Sequence, residues 1–420
     1  LHTAYRRQRQ MCIRDSILQW EESALKILLV NKYLYRKGGA ETYFIKLGEY
    51  LKSLGNEVEY FGMADERNCV RNRVEAYTEN IDFHKKSLKH ITYPFKIIYS
   101  VNARKQIRKV LSDFKPDVVH LNNFNYQLTP SIIYEIKKRN IPIVYTAHDV
   151  QLVCPNHKLK NDYTDGLCRK CDGGKYFECV KNNCVHSSKI RSILGAVEAW
   201  YYKLRHTYKM IDLTVCPSEF MEKEISRNDD INGRTVTMYN FIDEIKPLGA
   251  ECENYVLYFG RYSEEKGISN LVKAAKKLSN IPFVFAGKGE LENEVNSADN
   301  IKNVGFKTGD ELRNIIEKAL FTVLPAEWSE NCPFSVMESQ SLMTPVLGAK
   351  IGGIPELIDD GKTGILFESG NLKELTEKIE YLYNNKELCR QMSENCRDIK
   401  YDTIKEYSEK LIKLYKEVIK

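Results

Sequence analysis

The chain has 420 residues, 43% hydrophobic and 29% charged, and its 63 Lys and Arg against 57 Asp and Glu give a net charge of +6. At about 100–200 residues per domain this length holds two or three domains, and the composition excludes a disordered or collagen-like chain. The charge is too mild to mark a nucleic-acid binder, and no apolar run reaches the roughly 18–20 residues that span a bilayer.

Residues 1–24 lack the apolar core and small-residue cleavage site of a secretory signal. The stretch RRQRQMCIRDS reads either as translated adapter text or as a basic disordered tail, so the fold argument starts at Leu25. From there strands and helices alternate. LKILLVN (25–31) predicts a strand, a turn at Gly38-Gly39 follows, and AETYFIKLGEYLKSLG predicts a helix capped by Gly55. NEVEYFG (56–62), PDVVHLNN (116–123), IPIVYTAHD (141–149), DLTVCPS (212–218) and TVTMYN (235–240) predict further strands, with a helix through SIIYEIKKRN. The pattern lapses at 241–253 and restarts with NYVLYFG (254–260), IPFVFAG (281–287), LFTVLPA (320–326), PVLGA and GILFE (364–368), separated by helical segments.

Apolar strands alternating with helices predict parallel sheets covered on both faces. The expected fold class is α/β, with two Rossmann-like doubly wound units facing a central cleft. The first unit is expected over 25–245 with a Cys-rich insert at 154–186. The second is expected over 246–398, and a C-terminal helix over 399–420 packs back toward the first.

Four features can carry chemistry. Gly38 and Gly39 after the first strand either let backbone amides approach an anion or form a tight turn only. Arg261 and Lys266 in GRYSEEKG (260–267) either neutralise a diphosphate or form a solvated loop. Glu330 and Glu338 flank a helix start marked by Pro333, which can hold a phosphate and leave carboxylates for sugar hydroxyls. His148, ending an apolar strand, either faces the cleft or is a structural histidine. Its neighbour Asp149 is expected on the opposite face by strand alternation.

GGAE (38–41), TAHD (146–149), PSEF (217–220), GRYSEEKG, AGKGELE (286–292), the Glu330/Glu338 pair and GGIPELI (352–358), in this order, resemble the GT-B glycosyltransferases, and among them the retaining family 4. The resemblance spans roughly residues 25–420. It implies a sugar moved from a UDP- or GDP-sugar donor to a lipid-linked or surface-polysaccharide acceptor. It implies that Gly38 and Gly39 contact the donor phosphate and that Arg261 and Lys266 bind the leaving diphosphate. Glu338 would hold the ribose, Glu330 the donor sugar, the backbone of Cys332, Pro333, Phe334 and Ser335 the phosphate, and His148 the region of the reacting carbon. Gly305 in NVGF would border the base. Many relatives carry Phe-Gly after the first Glu, where this chain has Asn331-Cys332-Pro333-Phe334, which leaves the sugar open. Fixed cations and helix-end amides would stabilise the departing charge, so no catalytic metal is expected. A nucleotide-sugar epimerase of the same architecture and a non-catalytic zinc-organised scaffold are the alternatives.

Five of the 12 cysteines fall between Cys154 and Cys184. Cys168, Cys171, Cys179 and Cys184, with one CxxC pair, suit a tetrahedral structural zinc; disulfides or unliganded thiols are the other readings. Cys154, His157 and His186 flank the set. Residues 85–115 hold nine Lys or Arg (85, 86, 89, 96, 104, 105, 108, 109, 115) against Asp113, interleaved with aromatics. This reads as a face that docks on an anionic membrane or as a solvated helix, and no nucleic-acid module accompanies it. The expected setting is cytoplasmic, peripheral on the membrane's inner face.

Overall fold

A computed structural model describes residues 24–80, 93–161, 166–231, 234–245 and 247–420. The tail before residue 24 and the basic residues 85, 86 and 89 lie outside the described residues.

The first sheet contains β1 (Lys26–Val30), β2 (Glu57–Phe61), β3 (Val118–Leu121), β4 (Ile143–Thr146), β5 (Leu213–Cys216) and β6 (Arg234–Thr237), in the order β2-β1-β3-β4-β5-β6. All pairs are parallel. Every residue of β3, β4 and β5 is buried, which is why these strands read as unbroken apolar runs. The second sheet contains β7 (Val256–Tyr262), β8 (Phe283–Gly289), β9 (Ile301–Asn303), β10 (Phe321–Leu324), β11 (Val346–Ala349) and β12 (Gly364–Phe367), ordered β12-β11-β10-β7-β8-β9, again all parallel. β9 is three half-exposed or exposed residues, Ile-Lys-Asn, and carries no hydrophobic pattern to find it by.

The direction of winding reverses between β1 and β3 in one sheet and between β7 and β10 in the other. Ligands of such sheets bind outside the carboxyl ends of the strands at these reversals. The loop after β1 carries Gly38 and leads into the helix at Gly39, the end of β7 carries Arg261 with Lys266 just beyond it, and the loop after β10 carries Glu330.

The last helix, Ile404–Ile419, starts on a capping box made by Thr403 and Glu406. It buries Tyr407, Ser408, Leu411 and Tyr415, a helical stripe, against the first sheet's helix Gly39–Ser53. The Tyr407 hydroxyl meets that of Tyr43 at 2.7 Å, and the Tyr415 hydroxyl meets His120 Nδ1 at 2.6 Å. The chain therefore leaves the second sheet and returns to the first.

The structure accounts for two cations of the basic stretch. Helix Val101–Phe114 packs Ala103, Ile107, Val110, Leu111 and Phe114 inward. Its Arg104 and Arg108 are engaged by buried Glu135, Arg108 Nε at 3.1 Å. Burial alone would raise the Glu135 pKa, but the two guanidiniums hold it down at about 2. Two of the cations thus anchor a helix. Lys96 lies 3.7 Å from Glu79.

Candidate active site

A cleft of about 560 Å³ opens between the carboxyl ends of the two sheets. Eleven of the twelve residues named for donor or catalytic roles line it: Gly38, Gly39, His148, Arg261, Lys266, Glu330, Cys332, Pro333, Phe334, Ser335 and Glu338. Gly305 does not line it; it sits after β9 with φ +70 and its amide on Asn303 Oδ1. A larger hollow of about 910 Å³ at the amino edge of the second sheet gathers none of these groups.

Two helix starts face each other across the cleft. Helix Gly39–Ser53 begins at Gly38 and helix Phe334–Ser341 at Pro333, and neither has a side-chain cap. A Cβ on Gly39 would lie 3.5 Å from Phe334 Cδ2, an ordinary contact, so the two helix starts come within side-chain reach of each other. Their first-turn amides and positive dipole ends form a place for an anion. Glu41, buried in the first turn, lines the same space, and the GGAE pattern contained it without singling it out.

Cations and carboxylate meet at the second sheet's reversal. Lys266 Nζ lies 2.5 Å from Glu330 Oε1, which also accepts from Trp328 Nε1 at 2.5 Å. The ammonium sits 5.7 Å from the Trp328 ring centre. Arg261 reaches Glu265 at 3.1 Å and keeps 59% of its side chain exposed, free to turn toward a ligand. The loop carrying Glu330 is clamped by the glycines of GGIPELI. The Gly353 amide donates to Glu330 O at 2.7 Å, and a Cβ on Gly353 would fall 1.8 Å from Asn331 O.

The sheets also touch through polar latches. Asn331 Nδ2 donates to His148 O at 2.5 Å. Glu356 accepts from the Glu219 and Phe220 amides at 2.8 and 2.6 Å and from the Tyr239 hydroxyl at 3.0 Å. PSEF and GGIPELI therefore join the two halves of the molecule. Sequence spacing gave no sign of these roles, nor of Trp328 or Asn331, because each acts on a residue far along the chain.

His148 Nε2 meets the Asn122 amide at 2.9 Å, and its ring stands edge-on to Tyr43. Burial lowers its pKa to about 4, against an opposing pull from Asp149, so the imidazole is neutral at pH 7. The expectation for Asp149 is corrected. β4 ends at Thr146, strand alternation stops there, and Asp149 lines the cleft beside His148. Burial alone would raise its pKa, but His157, 3.6 Å away, and the Gln151 amide hold it lowered.

Burial lifts the Glu338 pKa from 4.5 to about 7; Lys46 works against the rise and Asp243 adds to it. A carboxyl whose folded pKa is raised adds stability below its unfolded pKa and loses it as pH rises through the folded value. Glu338→Gln is therefore expected to flatten the fall in Tm between pH 5 and 8 and to be the more stable protein at pH 8. Parallel pH profiles for the two proteins would contradict this.

The four cysteines named for zinc lie outside the cleft. They surround a separate small cavity, which Cys154 joins. His157 instead faces Asp149 in the cleft, and His186 borders another hollow.

Residues 37–245 match the Glycosyltransferase Family 4 description and residues 241–399 match Glycosyl transferases group 1. An uncharacterized 42.6 kDa protein in the cps region of Klebsiella pneumoniae is 26% identical over 79% of this chain and 87% of its own length. An uncharacterized glycosyltransferase of Methanocaldococcus jannaschii is 26% identical over 51% of this chain, and the match spans only 61% of that relative. Among solved structures, Anabaena Alr3699/HepE in complex with UDP superposes with a TM-score of 0.65 at 16% identity, covering 94% of this chain and 100% of its own. The sucrose-phosphate synthase of Thermosynechococcus elongatus gives 0.67 at 16% identity, covering 93% and 98%. At these identities the superpositions speak for the GT-B fold.

Proposed function

The chain belongs to the family 4 glycosyltransferases of the GT-B fold, and from that premise we propose that it transfers a sugar, with retention, from a nucleoside-diphosphate donor to a glycan or lipid-linked acceptor. One observation carries the reading: two uncapped helix starts, Arg261 and Lys266 converge on one cleft with Glu330, Glu338 and neutral His148. The diphosphate would sit between the helix starts, with Lys266 and Arg261 meeting the charge that builds as it leaves. Glu338 and Glu330 would accept from ribose and sugar hydroxyls. His148 and its own backbone carbonyl, held by Asn331, would lie beside the reacting carbon. Relatives point to surface glycans: besides the Klebsiella protein, the Staphylococcus aureus capsular polysaccharide biosynthesis glycosyltransferase CapM is 28% identical over 34% of this chain.

A panel of UDP- and GDP-sugars with and without an acceptor mixture tests the reading. Nucleoside diphosphate released only with acceptor supports transfer. Conversion of the donor sugar to its epimer without acceptor would replace transfer by the epimerase alternative.

The acceptor side of the proposal includes docking on an anionic bilayer. No helix among the described residues is long and apolar enough to cross a membrane. On helix Lys189–Leu204, however, Ile190, Ile193, Val197, Trp200 and Leu204 form an exposed stripe at helical spacing. Lys189, Arg191, Lys203 and Arg205 stand at its two ends, and the helix's one acid, Glu198, is half-buried. Two copies of this face would set like charges together, whereas an anionic lipid surface complements it. Wild type is expected to sediment with phosphatidylglycerol vesicles far more than with phosphatidylcholine, and Ile190→Ser/Leu204→Ser to lose most of that binding. Equal binding to both lipids, or none, would remove this part of the proposal.

A further inference from the structure

The insert between β4 and β5 folds five cysteines around one hole. Cys154, Cys168, Cys171, Cys179 and Cys184 wall a cavity of about 10 Å³, room for one ion or one water. No disulfide joins any of the five. They come from four local pieces of chain. Cys154 lies in the segment leaving the cleft, and Cys168 and Cys171 stand before the turn Asp172–Gly174. Cys179 is in the short helix Phe177–Lys181, and Cys184 follows it. Gly173 and Gly174, at φ +71 and +90, make the reversal that sets the CxxC pair opposite the other two.

We propose that Cys168, Cys171, Cys179 and Cys184 bind one structural zinc ion in this cavity, with Cys154 outside the ligand set, and that the ion fastens the 149–160 segment to the cleft.

Hydrogen bonds set Cys168 apart from Cys154, while Cys179 and Cys184 bond to each other and would give up the shared proton to the ion. Cys168 Sγ accepts from Asn161 Nδ2 at 3.1 Å, the contact a metal-bound thiolate takes from a neighbouring amide. Cys154 Sγ is placed to donate to Asn156 Oδ1 at 2.8 Å, which requires its proton. Among the described residues no three such side chains converge on one centre, so zinc binding requires the four sulfurs to shift together. The ligands then close on the ion as it binds, as metal binding and local folding are coupled.

The cavity is wired to the cleft on one side and to the first sheet on the other. Asn156 reaches Lys160 O at 2.7 Å and Cys184 O at 3.5 Å, and the Cys168 amide donates to Leu159 O at 2.8 Å. Lys160 Nζ crosses to Glu327 O at 2.6 Å, three residues before Glu330. Arg169 meets buried Glu224, and Asp172 meets Arg227. Between Asp149 and Lys160 the chain supplies His157 and Lys158 to the cleft wall. A closed zinc site would thus fix the far end of a segment that shapes the cleft.

Metal analysis of the full chain, purified without added metal and again after Zn²⁺ addition and desalting, tests the proposal. About one zinc per chain is expected, with four thiols shielded from a thiol reagent until a chelator is added. Chelation is expected to lower Tm and to open residues 166–175 to limited proteolysis. Cys154→Ser is expected to keep the zinc and Cys171→Ser to lose it. Should Cys171→Ser not fold, the wild-type stoichiometry and chelator shift decide alone. No zinc in either wild-type preparation would overturn the proposal, as would mass shifts showing disulfides among these cysteines. Zinc lost from Cys154→Ser would overturn the assignment of ligands.

Discussion

Lys266→Ala is expected to lower kcat by about 10²–10³-fold with the fold intact, the scale seen when one preorganised group facing developing charge is removed. Lys266 is positioned by the loop after β7 and touches Glu330 and the Trp328 ring, so its ammonium is held where a leaving diphosphate would form. The side chain contributes no core packing of its own, and Trp328 still donates to Glu330 in its absence. Lys266→Arg is expected to recover only part of the rate, since a planar guanidinium cannot reproduce a point charge in that contact. Full activity of Lys266→Ala in the transfer assay would remove this residue from the mechanism.

Gly353→Val is expected to lower kcat/KM by at least about 100-fold, the cost of roughly 1 Å of misplacement at a reacting centre. The effect begins as packing. A Cβ at this position would stand 1.8 Å from Asn331 O and 2.9 Å from Ser218 Cβ, so the loop carrying Glu330 and Asn331 must move. Glu330 then leaves Lys266, and Asn331 leaves the His148 carbonyl. Stability should also fall, by about 1–3 kcal/mol for overpacking of this kind. Near-normal activity together with an unchanged Tm would show that the loop is not held as the structure has it.

The two sheets were legible because β3, β4, β5 and β10 are buried on both faces and so are written as apolar runs. β9 was not legible, since its three residues are solvated. The anion-facing residues could be found because glycines, cations and carboxylates sit on loops directly after strands, where the parallel-sheet rule places ligands. Asp149 was misplaced because alternation was extended past Thr146, where the strand ends. The basic stretch was legible only in part. Charge alone does not separate a solvated arginine from one that neutralises Glu135 in the interior. The exposed stripe of helix Lys189–Leu204 escaped because its spacing is that of any buried helix face, and only accessibility tells the two apart.

Thermal unfolding with UDP, GDP and ADP, on wild type and on Lys266→Ala, reaches the central claim most directly. A nucleotide at about 100 times its Kd stabilises the protein by about 2.7 kcal/mol. A diphosphate-binding cleft predicts that one base raises the wild-type Tm clearly and that Lys266→Ala shows a smaller rise with the same nucleotide. Folded wild type that answers to none of the three would contradict a nucleoside-diphosphate site between the sheets.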